Sequence, residues 1–146
     1  EAAARLFGAT HFIAAGPDVD TIAAVKEICP NGVDTSFECV GHPALIRQCV
    51  DLLDWGGQCI LLGVPKFGSE ASFVVQSLYN DKSILGCRYG AARPHHDVPL
   101  FVDLYKAGKL KLDELVSATY APEQVQDALD AMHGGALNRA VLDFTR

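Results

Sequence analysis

Two short segments carry the residue pattern with the most chemical promise. Val33-Asp34-Thr35-Ser36-Phe37-Glu38-Cys39-Val40-Gly41 and Gln58-Cys59-Ile60-Leu61-Leu62-Gly63-Val64-Pro65 are mostly apolar, β-branched runs that end in glycine. Between them lies a helix-like stretch with its own stop signal, Gly56-Gly57. Strand, crossover helix, strand is the βαβ unit of a parallel sheet. Open sheets of this kind bind ligands at the carboxyl ends of their strands. The chemistry expected there is recognition: backbone N–H and C=O groups read a polar ligand edge, and glycine permits close approach. Other candidates give less. His95-His96 are adjacent and point apart, with no third ligand in sight, so they predict a loop or helix entry and no metal site. Glu38, at a strand end, reads as a structural hydrogen-bonding group rather than a general base. Cys39 has no identifiable base and reads as a buried thiol.

Composition narrows the classes. A chain of 146 residues with 49% hydrophobic and 21% charged residues is ordinary for one globular domain. The net charge of −6 argues against nucleic acid, which needs a concentrated basic face. Lys109 and Lys111 form the only near-cluster of lysines and read as a solvated helix end. No apolar run approaches the roughly 20 residues that span a bilayer. The five cysteines, an odd count without a CxxC pair, fit free thiols in a reducing, cytoplasmic setting. The N-terminal Glu1–Ala9 segment has no signal-peptide layout and no initiator Met, and reads as the end of a helix closed by Gly8, partway through a larger protein.

The elements that must position the glycine-ended segments follow from periodicity and breakers. Thr10–Ala15 reads as a strand, and Asp18 as the cap of a helix running to about Cys29. Pro30-Asn31-Gly32 stops it, and the strand Val33–Val40 follows. Pro43 opens the next helix, whose apolar face is Leu45, Ile46, Cys49, Val50, Leu52 and Leu53, with Trp55-Gly56-Gly57 at its end. Gln58–Val64, apolar on both faces, suits a central parallel strand. Phe73–Tyr79 predicts a short helix and Ser83–Tyr89 a further strand. Helices follow over Pro94–Ala107 and Pro122–His133, and Arg139–Phe144 is a last strand. This is an α/β pattern with helices on both sheet faces. No phosphate-cradling GxGxxG follows a strand, and Gly63-Val64-Pro65-Lys66-Phe67-Gly68 does not open a helix with that spacing.

The runs Phe37-Glu38-Cys39-Val40-Gly41, Leu62-Gly63-Val64-Pro65, Leu85-Gly86-Cys87-Arg88-Tyr89-Gly90 and Asp97-Val98-Pro99 resemble, in that order, the zinc-dependent alcohol dehydrogenases of the medium-chain dehydrogenase/reductase superfamily. Val102–Val116, Asn138–Phe144 and Arg5–His11 agree in order and spacing, so the resemblance covers essentially the whole chain. It implies a partial Rossmann-type doubly wound parallel sheet lacking its first two strands. Residues 1 to about 110 would be an incomplete dinucleotide-binding domain, and about 111–146 a return segment of the catalytic domain. The family's zinc ligands, glycine-rich turn and ribose-binding acid precede the segment present here. The chain would then be the C-terminal part of an NAD-dependent enzyme that transfers hydride between an alcohol or aldehyde and nicotinamide, inactive alone. NADP stays open, because the selecting residue is absent.

The resemblance also implies roles. Val40 and Gly41 match a strand end near the cofactor ribose. Leu62, Gly63 and Val64 match the strand end that meets the nicotinamide carboxamide, and Cys87 and Tyr89 the strand that completes this contact. Val64 and Arg88 match substrate-pocket positions, where an arginine departs from the usual apolar residue. Arg139 matches an arginine on the cofactor pyrophosphate, a task suited to its paired donors. Neither catalytic residues nor zinc ligands are expected in the chain itself. Two alternatives stay open: a zinc-free quinone or enoyl reductase of the same superfamily, and a non-catalytic dimerisation module. The edge strand Ser83–Tyr89 would pair across a two-fold axis in a homodimer or homotetramer. Without its neighbours, Thr10–Ala15 would be displaced or pair elsewhere. Substrate identity is not readable from the sequence.

Overall fold

The computed structural model describes residues 1–135 and 137–145. It comprises two compact units, Glu1–Ala92 and Arg93–Arg146. The first unit holds α1 (Ala2–Leu6), α2 (Thr21–Ile28), β1 (Val33–Glu38), α3 (Pro43–Asp51), β2 (Leu53–Leu61), a 3-10 turn (Val75–Asn80) and β3 (Ser83–Gly86). Its three strands pair in parallel in the order β1-β2-β3. The parallel α/β sheet is thus as expected.

Several elements differ from the sequence reading. Thr10–Ala15 is no strand, and it pairs in no ladder among the described residues. Asp20, not Asp18, caps α2, its carboxylate accepting from the Ala23 N–H at 3.0 Å. α3 stops at Asp51, and β2 begins two residues later. Leu52 and Leu53 therefore lie outside the helix whose face they were expected to extend. The ladder runs from Val33 opposite Leu53 to Thr35 opposite Gln58, so Asp54-Trp55-Gly56-Gly57 is a wide bulge within the strand. The short helix expected over Phe73–Tyr79 is 3-10, and β3 stops at Gly86 rather than Tyr89.

The core of this unit is small. Val50 from α3 and Leu53 and Cys59 from β2 are buried, with Val33, Cys49, Leu61, Phe73, Leu78 and Ile84 packed around them. Ser36 Oγ donates to the Cys49 carbonyl at 3.0 Å, tying β1 to α3. All five cysteines are free, and Cys39 is exposed, not buried as expected, because it lies just beyond the end of β1. Burial, and next the neighbouring Cys59, push the Cys49 thiol up from 9.0 to about 11; burial likewise raises Cys59.

The second unit holds α4 (Pro94–Lys106), β4 (Val116–Tyr120), α5 (Val125–His133) and β5 (Arg139–Leu142). β4, which the sequence reading missed, pairs in parallel with β5, and β5 ends two residues before the expected Phe144. His95 and His96 enter α4 as expected. His96 Nδ1 lies 2.9 Å from an Asp97 carboxylate oxygen, and the other oxygen accepts from the Arg93 N–H at 2.6 Å. The His96 bond, then the Arg93 N–H, hold the Asp97 carboxyl below its usual range. No group of three or more His, Cys, Asp or Glu is placed to hold a metal among the described residues. No helix there is long and apolar enough to cross a membrane.

The ends of β1 and β2 meet backbone to backbone. A Cβ on Gly63 would lie 2.0 Å from the Gly41 nitrogen and 2.6 Å from Val40 backbone atoms. A Cβ on Gly41, which sits at φ 81°, would lie 2.5 Å from the Val64 carbonyl carbon. Gly86 is different, with nothing within 4 Å of its added Cβ. Gly63→Ala is expected to cost ~3 kcal/mol or more, because only backbone can give way, whereas Gly86→Ala stays within about 0.5 kcal/mol. Urea unfolding of the two variants checks this; equal midpoints would refute the contact.

The raised Cys49 thiol gives a second expectation. The folded state holds this proton more tightly than the unfolded chain. Its stabilising contribution is complete below pH 9.0 and is lost as pH rises to about 11. Unfolding midpoints across that window should fall more steeply for the wild type than for Cys49→Ala. Parallel curves would show that the thiol is not so shielded.

Candidate functional site

The site is built from the carboxyl ends of the three parallel strands, and one buried acid organises it. Glu38, the last residue of β1, is 2% exposed. Its carboxylate accepts from the N–H of Val40 at 3.0 Å, from Gly41 at 2.9 Å to each oxygen, and from His42 at 3.4 Å. A carboxylate is tolerated in a buried position when its oxygens are met by donors in this way. Glu38 is a structural hydrogen-bonding group, as the sequence suggested. Its backbone carbonyl also accepts from both Leu62 and Gly63 N–H at 2.8 Å.

The start of α3 is closed in the same manner. Pro43 at the first turn has no N–H to satisfy. His42 Nδ1 accepts from the Ala44 N–H at 3.2 Å, and the His42 carbonyl accepts from Leu45 and Ile46 N–H at 2.9 and 3.0 Å. In the neutral ring the proton therefore resides on Nε2. Every backbone N–H from Val40 to Ile46 that exists, and those of Leu62 and Gly63, is committed within the protein. Among the described residues, the carbonyls of Leu62, Gly63 and Val64 accept no backbone hydrogen bond. This edge presents acceptors.

The structure brings together five of the residues singled out in sequence. Val40, Gly41, Leu62, Gly63 and Val64 form one contiguous lip, with Val64 89% exposed and Val40 and Leu62 also exposed. Gly63 approaches the backbone of Val40 and Gly41 rather than open space, which gives its lack of a side chain a structural cause. Cys87 joins the same edge: its N–H donates to the Leu61 carbonyl at 3.2 Å, carrying the β2–β3 alignment one residue beyond Gly86. Arg88 and Tyr89 follow and are exposed. Tyr89, Gly90 and Ala91 have φ of 54°, 65° and 51°. Two non-glycine departures of this kind flank a glycine, at a cost of roughly 1–3 kcal/mol each, and such strain clusters at functional sites. Arg139 is the first residue of β5, in the second unit.

A hollow of about 270 Å³ lies beside β1, lined in part by Phe37, Val40, Leu45 and Leu52. β1 pairs only with β2, so its other edge is open. The sequence reading did not find that the N–H groups of Val40, Gly41, Leu62 and Gly63 are engaged. The signal was present in Glu38 standing next to a glycine-containing turn, but its effect depends on a contact with Leu62 and Gly63 from another strand.

Comparison with known proteins agrees with this architecture. The family model described as zinc-binding dehydrogenase matches residues 1–107. The chain is 30% identical over 148 residues to the probable S-(hydroxymethyl)glutathione dehydrogenase 1 of Schizosaccharomyces pombe, covering 100% of this chain and 39% of that protein. It is 34% identical over 143 residues to the class-3 alcohol dehydrogenase of Myxine glutinosa, covering 97% of this chain and 38% of that one. Among solved structures, benzyl alcohol dehydrogenase from Acinetobacter calcoaceticus superposes with a TM-score of 0.88 at 34% identity, over 95% of this chain and 38% of that enzyme. The chain thus spans about two-fifths of the length of the relatives it matches. With the family model matching well over half of it, and its strands in the parallel order the fold requires, the chain belongs to the zinc-binding dehydrogenase family.

Proposed function

We propose that this chain is the part of an NAD(P)-dependent alcohol dehydrogenase that holds the nicotinamide half of the cofactor. The observation that carries the reading is the lip at Leu62-Gly63-Val64, whose carbonyls are free while its first two N–H groups are bound to Glu38. Such an edge complements the NH₂ of a carboxamide, which is a pure donor. Cys87, Arg88 and Tyr89 extend it along the next strand. When bound, the dinucleotide supplies the hydride-carrying ring. The protein groups named here bind and orient that ring and do not themselves react. The residues present do not fit a zinc ion, since no donor cluster exists among those described; a zinc ligand set belongs to sequence outside this chain.

On this reading residues 1–110 and 111–146 serve the cofactor-binding and catalytic domains of the whole enzyme. Val40 and Gly41 lie at the ribose, Val64 and Arg88 line the substrate pocket, and Arg139 contacts the pyrophosphate. The substrate is a small alcohol or aldehyde. The open edge of β3 (Ser83–Gly86), paired on one side only, joins a second copy by sheet extension. A cytoplasmic location accords with five free thiols.

Three measurements on the whole protein check this. A dinucleotide whose carboxamide is replaced by an acetyl group loses the NH₂ donor and should bind about tenfold more weakly than NAD, or ~1.4 kcal/mol; equal affinity would remove the carbonyl lip from the cofactor site. Arg139→Ala should weaken cofactor binding by a similar factor, with Arg139→Lys recovering it only in part because a lysine cannot donate bidentately. Analytical ultracentrifugation should return a dimer or tetramer, and a monomer would exclude pairing through β3.

A further inference from the structure

Glu38 places a carboxylate where the protein is closed to water, since the residue is 2% exposed. A carboxylate is kept in such a position only where donors meet its oxygens. Here the donors are three successive backbone N–H groups. Oε1 accepts from Val40 at 3.0 Å, from Gly41 at 2.9 Å and from His42 at 3.4 Å, and Oε2 accepts from Gly41 at 2.9 Å. Consecutive N–H groups that converge through a residue in the left-handed region form a backbone anion cradle. Gly41 is that residue, at φ 81°.

The cradle stands at the end of β1 and directly before α3, which begins at Pro43. Turns of this kind in α/β sheets favour a bound anion, because free N–H groups and the helix dipole act together. In this chain the anion is supplied from within. It belongs to the last residue of β1, whose own carbonyl holds the N–H groups of Leu62 and Gly63 at 2.8 Å. A buried acid adds little net stability, since desolvation offsets what its hydrogen bonds contribute. What it adds is position: residues 40–42 are held, and the cradle is full.

We propose that Glu38 is a positioning residue for the dinucleotide. Its carboxylate stands in for an external anion in the 40–42 cradle, which fixes the strand end that receives the ligand and closes the cradle to the ligand's phosphates. The placing of the dinucleotide rests on the cofactor reading above; the filled cradle does not.

The test uses the whole protein and exploits the shape of the side chain, which beyond Cβ is the size of an acetate ion. Glu38→Ala should bind NAD about tenfold more weakly in acetate-free buffer, as three N–H groups lose their acceptor. At constant ionic strength, acetate should return the Kd to within about threefold of the wild type and raise the variant's Tm, whereas acetamide, its neutral isostere, should do neither. Val50→Ala, a truncation in the core of the same unit, shows the effect of lost stability alone. Its Tm should fall, its Kd for NAD should stay within about twofold, and acetate should change neither. With a wild type that binds NAD, this inference alone is overturned by any of four results. These are unchanged affinity in Glu38→Ala, no rescue by acetate, equal rescue by acetamide, or an equal loss of affinity in Val50→Ala. Hydrogen exchange on the wild type serves if Glu38→Ala does not fold. The amides of Val40, Gly41 and His42 should be protected before NAD is added, and exchange at the rate of an open loop would overturn the filled cradle. A wild type that binds no dinucleotide overturns the cofactor reading and the positioning role with it, while acetate rescue of the Tm still decides the cradle.

Discussion

The interactions of Glu38 with two loops set the geometry on which the rest of the site depends. The carboxylate gathers the N–H groups of Val40, Gly41 and His42, and the carbonyl of the same residue gathers those of Leu62 and Gly63. One residue thereby fixes both strand ends. The loops are drawn together until no Cβ fits at either Gly41 or Gly63. The start of α3 follows directly, since His42 is both a donor to Glu38 and the cap of the helix. Helix start, loop position and the two glycines thus share a physical cause.

That arrangement has a chemical consequence. Backbone groups come in donor–acceptor pairs, and Glu38 takes the donors of Val40, Gly41 and His42 on its carboxylate and those of Leu62 and Gly63 on its carbonyl. The polarity of the lip is set from beneath it. A ligand that meets it must bring N–H or O–H groups, and one that brings oxygens needs a cation close by. Arg88, two residues past the end of β3, is exposed.

The central βαβ unit was legible because its signals are local: β-branched runs, Pro43 at a first turn, and glycines at strand ends. What depended on distant contacts was not. The Trp55-Gly56-Gly57 stop signal sits inside a strand because β2 resumes pairing at Leu53, opposite Val33, before the bulge intervenes. Thr10–Ala15 has strand-like residues, yet a ladder needs a neighbour and this segment has none. β4 escaped notice because Val116-Ser117-Ala118-Thr119-Tyr120 is short and weakly apolar, and its pairing with Arg139–Leu142 lies some twenty residues away in sequence. Gly63 was legible as special. The reason, a backbone contact with Gly41, was not, because the two are brought together only by the folded sheet.

The choice of an acid at position 38 is itself informative. An apolar side chain of similar volume would suit a position this buried, and buried ion sites are weak sources of stability. With such a residue the N–H groups of Val40, Gly41 and His42 would lose their acceptor and would have to turn to water or to a ligand. The lip would then be mixed in polarity, with donors and acceptors side by side, and the two loops would be free to separate. Keeping the carboxylate removes both freedoms. It holds the turn from Val40 to His42 in place before any ligand arrives, and it keeps those three N–H groups engaged. Preorganised polar groups of this kind cost no rearrangement at the moment of binding. The acid and the carbonyl of the same residue therefore tie the ends of β1 and β2 together from a buried position.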